Sequence, residues 1–259
     1  MPGKDRQRAL ARAKLERQMA RRAAAARRRR QLQAGLGAAV AVVVLVAGVW
    51  YLVAQLHGDT PAKTTAAASG CAYPKSPEAA SKDVGVPTVD NVPRAGTQTV
   101  TMKTNVGTVT ADLDLAHAPC TAHSFAHLAS QKYFDGTSCH RLLDSNGGFV
   151  LQCGDPTGTG TGGPGYQFGT ENLPTGKNPA YPAGTLAMAR SQDPNSNGSQ
   201  FFIVYRDSTA FSPDYTVFGH VTSGLDVVQK AAATGVQPGT DKPKEKVTFS
   251  SVTVEPPRS

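Results

Sequence analysis

The stretch NGSQFFIVY, residues 197–205, sets one amide ahead of two adjacent phenylalanines in an otherwise apolar run. Asn197-Gly198 is a turn signal, so a strand is expected directly after it. A strand sends successive side chains to opposite faces. Gln200, Phe202 and Val204 then share one face, and Ser199, Phe201 and Ile203 share the other. The second face reads as core. The first pairs an amide with an aromatic ring, which suits a ligand that is half polar and half apolar. A buried strand with one satisfied amide is the plainer reading of the same residues. A second run, CHRLLDSNGGFVLQCGDPTGTGTGG (139–163), carries Arg141 and Gln152 on opposite arms of a hairpin. Arg141 by itself reads equally as a surface ion pair.

Other chemistries are less well supported. His123 and His127 share a helix face and His117 is close by, but no carboxylate or cysteine clusters with them, so no metal site is expected. GTGTGGPG (158–165) lacks the Lys-Ser/Thr pair and the helix start of a phosphate cradle and reads as a flexible groove wall. Asn197-Gly198-Ser199 fits a glycosylation sequon in an unsuitable turn-to-strand context. Asp112 and Asp114 alternate with Ala111, Leu113 and Leu115, the pattern of a strand with one solvated face.

The elements that must hold these residues are short. Eight β-rich runs cover residues 99–104, 108–115, 139–143, 149–153, 184–189, 200–205, 215–221 and 247–254. Two helical stretches interrupt them. Residues 119–130 have Pro119 in the first turn and Phe125, Leu128 and Ala129 on one face, and residues 225–233 end before Gly235. Short strands with Gly/Pro turns predict a mainly β fold, an eight-stranded closed antiparallel barrel capped by two helices. A filled barrel must bind its ligand on its outer wall.

Charge is unevenly placed. The chain has 27 Lys and Arg against 19 Asp and Glu, a net +8. Residues 1–30 hold 12 of the basic and 2 of the acidic residues, a net +10, which leaves 15 basic and 17 acidic residues, a net −2, for the remainder. The basicity is a tail, which argues against a nucleic-acid-binding fold. LGAAVAVVVLVAGVWYLVA follows, with no polar stripe; about 20 such residues span a bilayer core. Arginines before it and Trp50-Tyr51 at its end predict a single-pass transmembrane helix within 31–56, N-terminus cytoplasmic. AQLHGDT offers no good small-residue cleavage site. AASGC (67–71) lies well past the apolar run and lacks the leucine of a lipoprotein box, so an uncleaved anchor is expected. Residues 57–97, rich in Ala, Thr, Pro, Ser and Gly, read as an extracytoplasmic linker, and residues 98–256 as the folded domain.

All four cysteines, Cys71, Cys120, Cys139 and Cys153, follow the apolar segment, which favours disulfides. Three pairings are open. Cys139 and Cys153 flank the hairpin, but strict alternation would put them on opposite faces. The reading leans to Cys120–Cys139 with Cys71–Cys153.

Three blocks, 139–163, 184–205 and 215–221, together resemble the cyclophilin family of peptidyl-prolyl cis-trans isomerases, and more narrowly its membrane-anchored, exported, actinobacterial-type members. The resemblance spans residues 98 to about 254. It implies prolyl isomerisation in exported proteins, without cofactor, metal or covalent intermediate, at the cell membrane. By resemblance Arg141 is catalytic. Phe149 walls the proline pocket, Val150 stands where methionine is common, and Phe202 is the pocket floor. Gln152, Ala189 and Gln200 contact substrate backbone. Phe211 and Tyr215 fall where leucine and histidine are usual. Arg190 replaces a common asparagine and is expected to alter peptide preference. Ala210 replaces the tryptophan of drug-sensitive members, which implies weak cyclosporin binding. The residues also allow a non-catalytic module that binds proline-containing segments as a chaperone or scaffold.

Overall fold

The computed structural model describes residues 70–258. The basic tail, the apolar segment of residues 31–56 and the linker up to residue 69 lie outside the described residues. Among the described residues no helix is long and apolar enough to cross a membrane.

Among the described residues eight strands and two helices follow in order: β1 (Thr97–Thr104), β2 (Gly107–Asp114), α1 (Pro119–Ser130), β3 (Arg141–Ser145), β4 (Gly148–Cys153), β5 (Thr185–Met188), β6 (Phe201–Val204), β7 (Val217–Ser223), α2 (Leu225–Ala233) and β8 (Phe249–Val254). They form one antiparallel sheet ordered β3-β4-β6-β5-β7-β2-β1-β8. The period-2 patterns hold: Val100 and Met102 on β1, and Val109, Ala111 and Leu113 on β2, are buried. The half-exposed face of β2 carries Asp112, which accepts a hydrogen bond from the cross-strand partner Thr99 at 2.7 Å.

The closed barrel is not realised. Edge strands β3 and β8 share no ladder. The gap between them is spanned by irregular chain, where Cys139 N–H donates to the Val247 carbonyl and Gly136 N–H to that of Phe249. Ahead of Arg141 the chain leaves β4 for the other edge, where Ser138 bridges Thr248 and Phe249 N–H donates to the Thr137 carbonyl.

On the inner face, Phe125 of α1 stacks on Phe134 at 4.8 Å and meets Phe201 edge-on at 5.3 Å. Each buried aromatic ring removes enough apolar surface from water to stabilise the fold by about 1.5–3 kcal/mol. Helix α1 has no capping side chain at Ala118. The distant Glu171 carboxylate accepts from the Cys120 and Thr121 N–H groups and the Thr121 hydroxyl instead, satisfying donors that a helix start leaves open.

Residues 70–96 form no strand or helix, in keeping with their composition, yet they are packed chain. Cys71 is bonded to Cys120. Ser76 and Ser81 N–H groups donate to the Gly165 and Gly163 carbonyls, and Gln167 N–H to that of Pro74. Packed chain therefore extends ahead of the first strand at least as far back as Cys71. The second disulfide is Cys139–Cys153, so the expected pairing is corrected at both bonds. Alternation misled because Cys139 precedes β3 in irregular chain, where a period of two does not apply. Its Cα sits 4.0 Å from that of Cys153.

Candidate active site

The ladders align the site. Arg141 on β3 pairs with Gln152 on β4, Gln152 with Phe202 on β6, and Phe202 with Ala187 on β5. Residues paired across an antiparallel ladder point to the same face, so these four form one row on the outer side of the sheet. Strands lie about 4.8 Å apart, which puts the Arg141 and Phe202 backbones about 10 Å apart on that face. The row below it, Leu143, Val150 and Val204, is apolar.

A second hydrophobic cluster, distinct from the core, covers this face: Val150, Tyr181, Ala187, Phe202 and Val204 are buried, with Leu143, Ala189, Phe211 and Tyr215 partly exposed around them. Phe202 lies 5.9 Å from the Phe211 ring and 5.5 Å, edge-on, from Tyr215. Phe202, nearly buried, is thus covered by the partly exposed Phe211 and Tyr215, an apolar patch beside a charged and amide row. Strands β5 and β6 are buried along their whole length because they carry the core on one face and this cluster on the other.

Phe149 is not brought to this face. It alternates with Val150, so the two cannot point the same way. Its ring packs against Tyr205 at 6.2 Å, and the Arg206 guanidinium sits over it at 3.7 Å.

The polar groups are tied. Arg141 is exposed, and its Nε donates to Asp241 at 2.9 Å. With the two side chains 45% and 54% exposed, that pair is worth at most about 1 kcal/mol, too little to lock the guanidinium against a ligand. Gln152 Nε2 donates to Gln200 Oε1 at 2.9 Å. Gln200 Nε2 in turn donates to the Gly160 and Gly162 carbonyls. The two amides are therefore held at fixed positions before any ligand arrives. Ala189 N–H donates to the Gln200 carbonyl, joining the end of β5 to this network. Arg190 Nε donates to the Asp214 carbonyl, its Nη1 to those of Ser191 and Gln192, and its guanidinium lies 5.5 Å from the Tyr215 ring centre.

The glycine-rich loop is a fixed wall, not the flexible one its composition suggests. The buried Asp155 carboxylate accepts from the N–H groups of Thr157, Thr159 and Gly160 and from the Thr157 hydroxyl. Burial pushes its carboxyl up, but these hydrogen bonds prevail and hold it below the usual range. Gly162 is required here: a Cβ would lie 1.9 Å from Asp155 Oδ1. His140 packs against Gly160, and among the described residues both its buried ring nitrogens have no hydrogen-bond partner. Gln200 could reach it but spends its N–H groups on the loop. Burial lowers the His140 pKa and keeps the ring neutral.

Tyr181 was not among the expected site residues. Fully buried behind Phe202, it donates its hydroxyl to the Ser212 carbonyl at 3.0 Å and accepts from Tyr215 N–H at 2.9 Å. It thereby fixes the segment that carries Phe211 and Tyr215. Burial pushes its hydroxyl up to about 12. The lone aromatic between prolines in NPAYPAG was a signal for it, though not one with a direction. His117 pairs with Asp114, and His123 and His127 bond backbone carbonyls; among the described residues no group of ligands could hold a metal.

The family described as cyclophilin type peptidyl-prolyl cis-trans isomerase/CLD matches residues 99–254. The chain belongs to this family. It is 47% identical over 200 residues to a probable peptidyl-prolyl cis-trans isomerase B of Mycobacterium tuberculosis, covering 72% of this chain and 64% of that protein. The chain thus spans slightly less than two thirds of that relative. A peptidyl-prolyl cis-trans isomerase B of Streptomyces anulatus is 39% identical over 173 residues, which cover 60% of this chain and 95% of that one. Among solved structures, a cyclophilin type isomerase of Cryptosporidium parvum crystallised in the presence of the dipeptide Ala-Pro superposes with a TM-score of 0.54 at 30% identity, covering 61% of this chain and 99% of that one. The mainly β cyclophilin fold with two helices is thus common to both. The arm of residues 71–81 lies ahead of the family match.

Proposed function

We propose that this chain catalyses cis–trans isomerisation of X–Pro bonds in exported polypeptides. The observation that carries the reading is the row Arg141–Gln152–Phe202 beside an apolar cluster on the outer face of a cyclophilin-family sheet.

A peptide bond resists rotation by about 18–20 kcal/mol because its nitrogen shares the lone pair with the carbonyl. X–Pro isomers differ little in energy yet interconvert over tens of seconds or more. Catalysis needs no nucleophile, only a site that favours the twisted amide. When the bond is turned, the lone pair returns to the proline nitrogen, and Arg141, always charged, can donate to it. In the planar ground state that nitrogen is a poor acceptor, so the bond is made chiefly in the transition state. The apolar cluster at Phe202 holds the proline ring, and Gln152 and Gln200 hold the flanking backbone. Phe149 has no part in that cluster. Arg190 acts through its position at the end of β5, and Ala210 leaves cyclosporin binding weak.

Two disulfides fit an oxidising compartment. Together with the apolar segment of residues 31–56 and the basic tail, they support a single-pass anchored enzyme with its folded domain outside the cytoplasm. The alternative, a proline-binding module without catalysis, needs the cluster but not the guanidinium. Isomerisation of an X–Pro peptide by NMR exchange separates the two. Arg141→Ala is expected to lower kcat/KM by about 100-fold or more, with Arg141→Lys recovering little of the loss. Equal rates for wild type and Arg141→Ala would leave only the binding module.

A further inference from the structure

A cavity of about 660 Å³ opens beside the candidate site and shares Gln152, Ala189 and Gln200 with it. Its far wall is built by the loop from Gly160 to Tyr166 and by Ser76–Ala79 of the arm, residues that precede the family match. The arm is held to that loop by the Ser76, Ser81 and Gln167 backbone bonds, and its start by Cys71–Cys120. Gly165 allows the approach, since a Cβ there would stand 2.8 Å from Ala80 Cβ.

Three charged groups line this cavity: Glu78, Asp193 and Arg190. Arg190 is occupied by three carbonyls and the Tyr215 ring. The Glu78 carboxylate is braced by the Ser76 hydroxyl at 2.7 Å, and Asp193 Oδ1 accepts from Asn195 N–H at 2.8 Å. The balance presented to a ligand is negative. Because the cavity shares Gln152, Ala189 and Gln200 with the site, an extended peptide, advancing about 3.3 Å per residue, carries side chains a few residues from the proline toward it.

We propose that the disulfide-tethered arm is a specificity wall, with Glu78 as its reader, that favours substrates carrying Lys or Arg within three residues of the proline over substrates carrying Asp or Glu there. The proposal rests on the isomerase reading. The test uses the full-length oxidised chain and X–Pro peptides that place Lys, Gln or Glu at each of the three positions on either side of the X–Pro pair. Isomerisation is followed by NMR exchange and affinity by titration calorimetry. At one position at least, Lys is expected to exceed Glu by about three- to tenfold at low salt, a margin that shrinks as salt rises. Glu78→Gln should narrow the Lys-to-Glu ratio and Glu78→Lys should invert it. A ratio near one at every position, or a ratio unchanged by Glu78→Lys, overturns the proposal. If the Gln peptides bind without being isomerised, the enzyme reading fails, and the affinity ratios still decide the role of the arm. Failure of every peptide to bind overturns both.

Discussion

Strands β4, β6 and β5 carry two apolar surfaces of unequal kind. The inner one, with Leu151, Ile203, Phe201 and Leu186, continues into a large cluster of buried side chains closed by α1. The outer one is small, rimmed by Arg141, Gln152 and Gln200, and closed by a loop that the Tyr181 hydroxyl and Arg190 hold in place. Phe201 and Phe202 are neighbours in the chain, yet one is structural and the other faces a ligand. Both are nearly fully buried, so burial does not distinguish them. What does is the polar rim and the partly exposed Phe211 and Tyr215 on one side only.

Substitution of the paired phenylalanines should separate the faces most. Phe201→Ala leaves a closed cavity among packed rings and should cost about 3–5 kcal/mol in chemical denaturation. Phe202→Ala opens toward solvent and should cost about 2 kcal/mol, while raising KM for an X–Pro peptide much more than Phe201→Leu does. Equal stability losses would mean that the outer cluster is a second core.

The Tyr181 strut comes next. Tyr181→Phe keeps the ring but removes the hydroxyl that serves Ser212 and Tyr215. A loss of about 1–2 kcal/mol is expected, together with a KM increase from a loosened Phe211–Tyr215 frame. Hydrogen exchange at the Tyr215 amide would show the loosening directly.

The smallest effect is on pH dependence. His140 is neutral in the fold and its pKa lies below its usual value. The unfolded chain therefore takes up a proton first, and stability is expected to fall as pH drops below about 6.5. Asp155, also depressed, adds a further loss once pH falls below the ordinary carboxylate range near 4. His140→Phe, which suits a ring with two unpartnered nitrogens, should flatten the melting-temperature slope between pH 7 and 5. It should leave the acid limb below pH 4 in place.

The cysteines show where reading by pattern stops. Alternation works inside β4, where Val150 and Gln152 share a face and Leu151 and Cys153 the other. Carried across the hairpin to Cys139 it failed, because that residue lies outside the ladder and bonds to Val247 instead. The same alternation, applied strictly, would have excluded Phe149 from the face of Val150 and Gln152.

The sequence alone determined the strand and helix segments, the face shared by Gln200 and Phe202, and the membership of Arg141 in the same constellation, because these depend on periodicity and on motifs contained in short runs. Only the tertiary structure decided the disulfide pairing, the open edge between β3 and β8, the strut at Tyr181 and the arm that walls the neighbouring cavity. Each of those joins residues far apart in the chain, and the choice among such contacts is made by how the packed elements fit, which no local pattern encodes.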